Sequence, residues 1–539
     1  MKREMSGIQL AMLSALYFSS ILNIAFWQFV WTNLSVTDAR AVLFLLSLPT
    51  ALFLAFYCIF CLLLWPYIGK GGLAFLLITS SVAGYFMIRL KVIIDSEMMR
   101  NVFEAMPYES LDMVTFGGIG WVAIFGLLPA VCIMNIKIVY SSSWHELKRR
   151  LMHVVVAGAL FCVIGLLFYK DYSIVARNNR LAGHLLTPFN FISSTRNYLR
   201  KTNRRNAPFL VIDEEPNHVP YEDPYYTVLI LMIGETARAM NFSLNGYERE
   251  TNPRLSQQDI IYFPEVTSSG TATAFSLPCM FSHLPRKSFD VDVSHNSENL
   301  LDIMQKAGYS VIWLDNDGGS KGVSDRVLTI DLMKDGNPEY RNGDTFFDEV
   351  LLDGLEERLS AIDRDTVIVL HMMGSHGPSY HLRYPDAFRV FTPTCETNEI
   401  QSRTREEVIN TYDNTILYTD HVVSEAIDIL KRFPIHEAGL LYVSDHGESL
   451  GENGFYLHGF PFAFAPREQI HIPMILWMSE KMRREDHIDY EKLKSAAASL
   501  NISHDNLFHS ILGLVEIDTE LYDPELDLFK AFRTKDLPY

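Results

Sequence analysis

Five apolar stretches fill the first third of this chain, near residues 8–31, 41–65, 72–94, 114–136 and 151–169. A helix needs about 20 mainly apolar residues to cross about 30 Å of hydrocarbon, and each stretch approaches that length. The alternative is a soluble all-helical core, but five such segments in succession favour a five-span α-helical membrane domain, which is expected over residues 1–170. Asn23, Arg89 and Lys91 interrupt the stretches near their ends or where they can face neighbouring helices. A cleavable leader is not expected. The first stretch is too long, no A-x-A-like site ends it, and four more spans follow.

Lys and Arg in the short loops set orientation. Lys2, Arg3, Lys70, Lys137, Lys148, Arg149 and Arg150 fall on one side, whereas the alternate loops carry chiefly Arg40 and Arg100. The N-terminus is therefore expected in the cytoplasm. Five crossings then put the rest of the chain outside, in the periplasm if this is a Gram-negative inner membrane. Residues 95–113, "DSEMMRNVFEAMPYESLDM", are short and amphipathic, and fit either an interfacial helix on the outer face or an ordinary loop.

A connector is expected over 171–220. Its basic part, "SSTRNYLRKTNRRN", could lie on anionic headgroups or be a solvated linker; "DEEPNHVPYEDP" reads as extended chain entering a new domain. From residue 221 onward the pattern is that of a soluble α/β domain. The formal net charge of the 539 residues is -18, and no nucleic-acid partner is expected.

In that domain, "YYTVLILMIG", "YSVIWLDN", "TVIVLHMMG" and "AGLLYVSDHG" are apolar runs of strand length. Amphipathic segments such as "SENLLDIMQKAG" and "TREEVINTYDNTILYTDHVVSEAIDILKRF" separate them. Near-continuous hydrophobic strands alternating with amphipathic helices predict a mostly parallel sheet covered on both faces. Ligands of such sheets bind beyond the carboxyl ends of the strands.

Those ends carry the chemistry. The strand at 225 runs out at Glu235, the strand at 366 leads to His376, and the strand at 438 ends at Asp445 and His446; His458 follows in "YLHGFP". A strand-end Glu is usually a cap or surface group, and a lone loop His is usually solvated. Converging on one sheet edge, one Glu, one Asp and three His instead suit zinc, which takes imidazole and carboxylate ligands. The nucleophile is sought in "SSGTATAFSLPCMF", where Thr271 and Thr273 precede a predicted helix. A hydroxyl there sits in a field that favours an incoming phosphate, although Thr also caps helices and Pro278 blurs the helix start.

Taken together, "IGETAR…FSLNGYERETNP", "GTATAFSLPCMFS", "SKGVSDR", "GSHGPSY" and "SDHGES…LHG" resemble the phosphoethanolamine transferases that modify lipid A, among them the mobile colistin-resistance enzymes. That family belongs to the alkaline phosphatase/sulfatase superfamily, and the resemblance runs over nearly the whole chain. It implies that Glu235, Asp445 and His446 bind the primary zinc, with Thr273 as nucleophile and fourth ligand. It implies that His376 and His458 bind phosphate or a second zinc, and that Lys321 faces the substrate phosphate. Thr271 is the less favoured nucleophile. The implied donor is phosphatidylethanolamine, the acceptor a phosphate of lipid A, and the kinetics ping-pong through a phospho-threonine. The chain is expected to act as a monomer and to lower the affinity of the cell surface for polymyxins.

The chain departs from the family in its cysteines. Ser269 stands where the partner of Cys279 is expected and Arg403 where that of Cys395 is expected, so the usual bridges cannot form. A Cys279–Cys395 bond has no support in the sequence. Cys58, Cys61, Cys132 and Cys162 fall in the spans as small apolar fillers.

Other readings stay open. A sulfatase needs a Cys or Ser in a C-x-P-x-R frame, which "TATAFSLP" does not supply. A phosphoglycerol transferase also uses a Thr and five spans, but would prefer manganese and lack "GYERETNP". The phosphoethanolamine acceptor could be a core sugar (Kdo or heptose) or a protein. A non-catalytic sensor or scaffold should have lost the nucleophile or a ligand, and none is lost.

Overall fold

The computed structural model describes residues 4–33, 39–66, 69–106, 111–169, 172, 180–202, 208–218, 225–434 and 436–535. The expected domain limits at 170–171 and 220–221 lie outside these residues, as do residues 171, 173–179, 203–207 and 219–220 of the connector. The chain divides into two compact units, Met1–Met99 with Val114–Tyr198, and Arg100–Met113 with Leu199–Tyr539.

Among its described residues the first unit contains five helices long and apolar enough to cross a membrane: Gly7–Thr32, Val42–Leu63, Gly69–Arg89, Phe116–Asn135 and Ser143–Leu167. The first bends through a 3-10 turn at Ile21–Asn23, where Asn23 donates to the carbonyls of Phe18 and Thr187. The fourth widens into a π turn at Ala123–Leu127, just before Pro129. A proline has no N–H to continue the α ladder, so a local widening there follows. The fifth helix starts at Ser143, so Lys148, Arg149 and Arg150 lie in its first turns rather than in a loop. Arg150 is buried because Glu146, one turn earlier, accepts from its Nε at 2.8 Å and the Cys61 carbonyl accepts from Nη1 at 2.8 Å. Basic "NYLRKT" closes the helix Phe189–Thr202.

The second unit is built on an eight-stranded sheet. Its strands are β1 (Thr227–Gly234), β2 (Ile261–Thr267), β3 (Ser310–Asp315), β4 (Leu328–Asp331), β5 (Thr366–His371), β6 (Glu437–Ser444), β7 (His471–Met478) and β8 (Ile502–Ser503). The spatial order is β8-β2-β7-β6-β1-β5-β3-β4. Every adjacent pair is parallel except those β7 makes with β6 and β2. Alternate residues of the central strands take opposite faces. Leu229, Leu231, Ile233, Val367 and Val369 pack into a core with Leu300–Met304 and Leu507–Leu514. On the other face Ile230, Met232 and Ile368 are just as buried, and the long helix Arg405–Lys431 packs against β6. That helix opens with a capping box in which Thr404 and Glu407 satisfy each other's backbone N–H groups. Each buried Leu, Ile or Val contributes about 1.5–3 kcal/mol, and both faces are filled.

Candidate metal centre and reactive threonine

Register alone brings two carboxylates together. β1 and β6 are neighbouring parallel strands in which Gly234 pairs with Ser444. The next residue on each is an acid, so Glu235 and Asp445 leave the same edge side by side. β5 flanks β1 on its other side and feeds the loop to His376. Gly374 in that loop has φ +52°, and a Cβ there would lie 2.6 Å from the Glu235 carbonyl oxygen. Only glycine combines that backbone with that approach.

One ligand atom each from Glu235, Asp445 and His446 falls within 4.8 Å of the others, and all three residues are buried. His446 Nε2 is 3.4 Å from Glu235 Oε1 and 3.4 Å from Asp445 Oδ2. His446 Nδ1 lies 2.9 Å from the Gly447 carbonyl. A carbonyl only accepts, so Nδ1 holds the proton and Nε2 keeps its lone pair toward the two acids. Asp445 Oδ1 accepts from the His446 backbone N–H at 2.7 Å, which turns Oδ2 inward.

Glu235 Oε1 and Asp445 Oδ2 are buried with no hydrogen-bond partner among the described residues. Burial, followed by the neighbouring Asp445, pushes the Glu235 carboxyl well above the usual range. Buried acids are normally neutralised or satisfied. Two carboxylate oxygens and an imidazole lone pair aimed at one point are the donor set of a divalent zinc site, so these residues fit the ion.

Thr273 completes the group. Its Oγ1 donates to Glu235 Oε2 at 2.9 Å and lies 3.4 Å from His446 Nε2. The N-cap of helix Thr273–Met280 is Ala272, so Thr273 is the first helical residue and its hydroxyl is not spent on capping. The Ser276 hydroxyl, one turn on, donates to the Asp445 carbonyl and pins the helix to the end of β6. His504 backs the same spot, accepting from the Ser269 N–H at 3.1 Å and donating to the Ser444 carbonyl at 3.0 Å. Thr271 is engaged elsewhere. Its hydroxyl donates to the Phe460 carbonyl at 2.6 Å, and its own carbonyl accepts from the Gly459 N–H at 2.7 Å. Those two bonds fasten the loop that carries His458.

The His458 ring is tilted against that of His446, with centroids 4.5 Å apart, and meets the His376 ring edge-on at 5.9 Å. His458 Nδ1 faces buried Glu448 at 3.5 Å. His376 Nδ1 is buried without a hydrogen-bond partner among the described residues. Burial, then the neighbouring Arg383, His458, His446 and Lys321 side chains, hold the His376 pKa well below the usual imidazole value, so its ring is neutral. Lys321 has a left-handed backbone, φ +51°, inside "GGSKG", where Gly318, Gly319 and Gly322 also have positive φ. The structure thus gathers Glu235, Thr273, Asp445 and His446 around one point, with His458, His376 and the Lys321 charge beyond it.

Several supports had no local signature. Asp348 accepts from the N–H groups of Met373 and Gly374 and from Asn316 Nδ2, fixing the His376 loop. Its turn, Asp348–Leu352, reads as an ordinary surface segment. Glu448 was visible in "SDHGES", yet nothing in the motif says that it faces His458. Cys279 and Cys395 are both free, and burial pushes the Cys279 thiol up to about 12.

A family model described as Sulfatase matches residues 227–517, and one described as Phosphoethanolamine transferase EptA/EptB matches residues 52–203. Phosphoethanolamine transferase EptA of Escherichia coli K12 is 40% identical over 529 residues, 97% of this chain and 96% of that protein. Phosphatidylethanolamine transferase Mcr-2 of Escherichia coli is 33% identical, over 94% of each chain. Among solved structures, the integral membrane lipooligosaccharide phosphoethanolamine transferase A of Neisseria meningitidis superimposes with a TM-score of 0.96. It is 38% identical and covers 99% of this chain and 100% of its own.

Proposed function

Since the chain belongs to the phosphoethanolamine transferases of the alkaline phosphatase/sulfatase superfamily, we propose that it moves phosphoethanolamine from phosphatidylethanolamine to a phosphate of lipid A, and that Thr273 carries the group between them. The observation that bears most weight is the Thr273 hydroxyl, 2.9 Å from Glu235 and 3.4 Å from His446, beside two buried carboxylate oxygens, Glu235 Oε1 and Asp445 Oδ2, that have no hydrogen-bond partner among the described residues.

Glu235, Asp445, His446 and Thr273 would hold one zinc ion; His376 and His458 either face the phosphoryl oxygens or hold a second. Bound zinc supplies positive charge and Lewis acidity beside the threonine hydroxyl and the phosphoryl oxygens. The chain does the rest. Glu235 Oε2 accepts the hydroxyl hydrogen and so orients the Thr273 oxygen. That oxygen forms a bond to phosphorus as the bond to the diacylglycerol oxygen breaks, and the threonine proton ends on the departing diacylglycerol. His376, His458 and Lys321 offer hydrogen bonds and charge to the phosphoryl oxygens, the main electrostatic demand of such a transfer. In the second half a phosphate oxygen of lipid A displaces Thr273, and the hydroxyl is restored. Thr271 is not the carrier in this reading because its hydroxyl is committed to Phe460.

Both substrates are lipids, and tethering the site to five apolar helices keeps it at the bilayer surface. The N-terminus lies in the cytoplasm and the α/β unit in the periplasm of a bacterial inner membrane, with the chain acting as a monomer. Adding an amine to lipid A weakens its attraction for cationic peptides such as polymyxin. Mass spectrometry of lipid A from cells with and without this chain tests the reading. Gain of one phosphoethanolamine per modified phosphate supports it; modification of a core sugar alone, or none, overturns it.

A further inference from the structure

The segment between the third and fourth apolar helices does not stay with them: Arg100–Met113 belongs to the α/β unit. Two ion pairs fasten it there. Arg100 Nη2 donates to Asp292 Oδ1 at 2.8 Å, with both side chains buried. Asp112 Oδ2 accepts from Arg383 Nη2 at 3.0 Å, and the Asp112 carbonyl accepts from Asn398 Nδ2 at 2.7 Å.

Each anchor leads to one side of the site. Asp292 sits in the short helix Val291–Ser294. Its Val291 packs with Phe289, Cys279 and Phe275, the last two on the helix that begins at Thr273. Arg383 leads to the other side. Its side chain is 1% exposed, and its Nε donates to the His376 carbonyl at 2.8 Å. One guanidinium therefore joins Asp112 to the backbone of His376. Its planar fork reaches a carbonyl and a carboxylate at once, in fixed directions, which a lysine ammonium cannot reproduce. A guanidinium this buried also needs its carboxylate, because an unpaired buried charge is strongly unfavourable.

We propose that Asp112 and Arg383 are positioning residues for His376, so that the segment between the third and fourth apolar helices completes the phosphoryl site. The carboxylate aims the guanidinium, the guanidinium fixes the His376 peptide, and the peptide sets where the imidazole points. The inference rests on the transferase reading, because positioning is measured through turnover.

The test uses the full-length chain in phosphatidylethanolamine nanodiscs. The rate of phosphoethanolamine loading onto the protein is followed by intact mass, beside steady-state kinetics. Asp112→Ala is expected to slow loading about 10- to 100-fold with KM for the lipid little changed, as for loss of a charge-assisted bond that only orients a reacting group. Arg383→Lys keeps the charge and is expected to be as slow. The double variant should be no slower than Arg383→Lys alone, and Asp112→Glu should recover part of the rate. If Asp112→Ala does not accumulate, Asp112→Asn carries the comparison. Loading within about twofold of the parent chain in Asp112→Ala and Arg383→Lys, or multiplying defects in the double variant, overturns the inference. A parent chain that never loads overturns the transferase reading and this inference together. A parent chain that loads at the same rate as its variants overturns this inference alone.

Discussion

Replacing Glu235 by Gln should make the metal-free protein more stable while destroying its activity. The ligand atoms of Glu235 and Asp445 lie within 4.8 Å of each other, away from solvent. At an effective dielectric of about 20, two unit charges at that separation would repel by about 3 kcal/mol, an upper bound on what the metal-free site loses, because Glu235 can take a proton instead. A divalent cation removes the repulsion and adds its own binding energy, about 4 kcal/mol at a thousandfold excess over Kd. Chelation should therefore lower the melting temperature of the full-length chain in detergent, and zinc should restore it. Glutamine keeps an acceptor for Thr273 and can donate to Asp445, so Glu235→Gln should melt above the chelated parent. With about 2–4 °C per kcal/mol for domains of about 150–250 residues, the difference should be at most about 6–12 °C. The variant should no longer respond to chelator or zinc, and should leave lipid A unmodified. Differential scanning fluorimetry over those conditions decides it. A parent chain indifferent to chelation, or a Glu235→Gln protein melting below the chelated parent, would refute the reasoning.

Three further outcomes are expected. Thr273→Ala should abolish lipid modification at normal abundance, whereas Thr271→Val should retain the chemistry and lose about 1 kcal/mol from the broken bond to Phe460; lipid A mass spectra and melting curves separate the two. Gly374→Ala should cost about 1–2 kcal/mol from its φ of +52° alone, plus the clash with the Glu235 carbonyl, and turnover should fall more steeply than stability because Glu235 is displaced. Burial pushes His504 down to about 4. A folded-state value below the unfolded one means that stability is intact above about pH 6.5 and is lost as pH falls toward 4, by up to about 3 kcal/mol. His504→Gln should flatten that part of the stability–pH profile, and an unchanged slope would count against it.

The sheet was legible because buried parallel strands are written as unbroken apolar runs, and their last residues are where chemistry gathers. Glu235, Asp445 and His446 could be found that way. Parallel register, with Gly234 opposite Ser444, then does what the sequence implies. The place of Thr273 beside Glu235 and His446 was harder to see. Pro278 obscures the helix start, and the rival Thr271 is separated from it only by a bond to Phe460, far along the chain. The absent bridges were readable from Ser269, which instead serves His504. Asp348, Arg383 and Asp112 left no local pattern, since each matters only through partners on distant segments. The start of the fifth apolar helix was masked for a similar reason. Lys148, Arg149 and Arg150 look like a loop until Glu146 and the Cys61 carbonyl take up the Arg150 charge.

The central claim is that one hydroxyl carries the phosphoethanolamine. The full-length chain, incubated with phosphatidylethanolamine in the absence of lipid A, quenched and digested, can be read peptide by peptide. The account predicts a single phosphoethanolamine on Thr273, discharged when lipid A is added. The group found on Thr271 or another side chain, or a protein that transfers without ever becoming loaded, would contradict it.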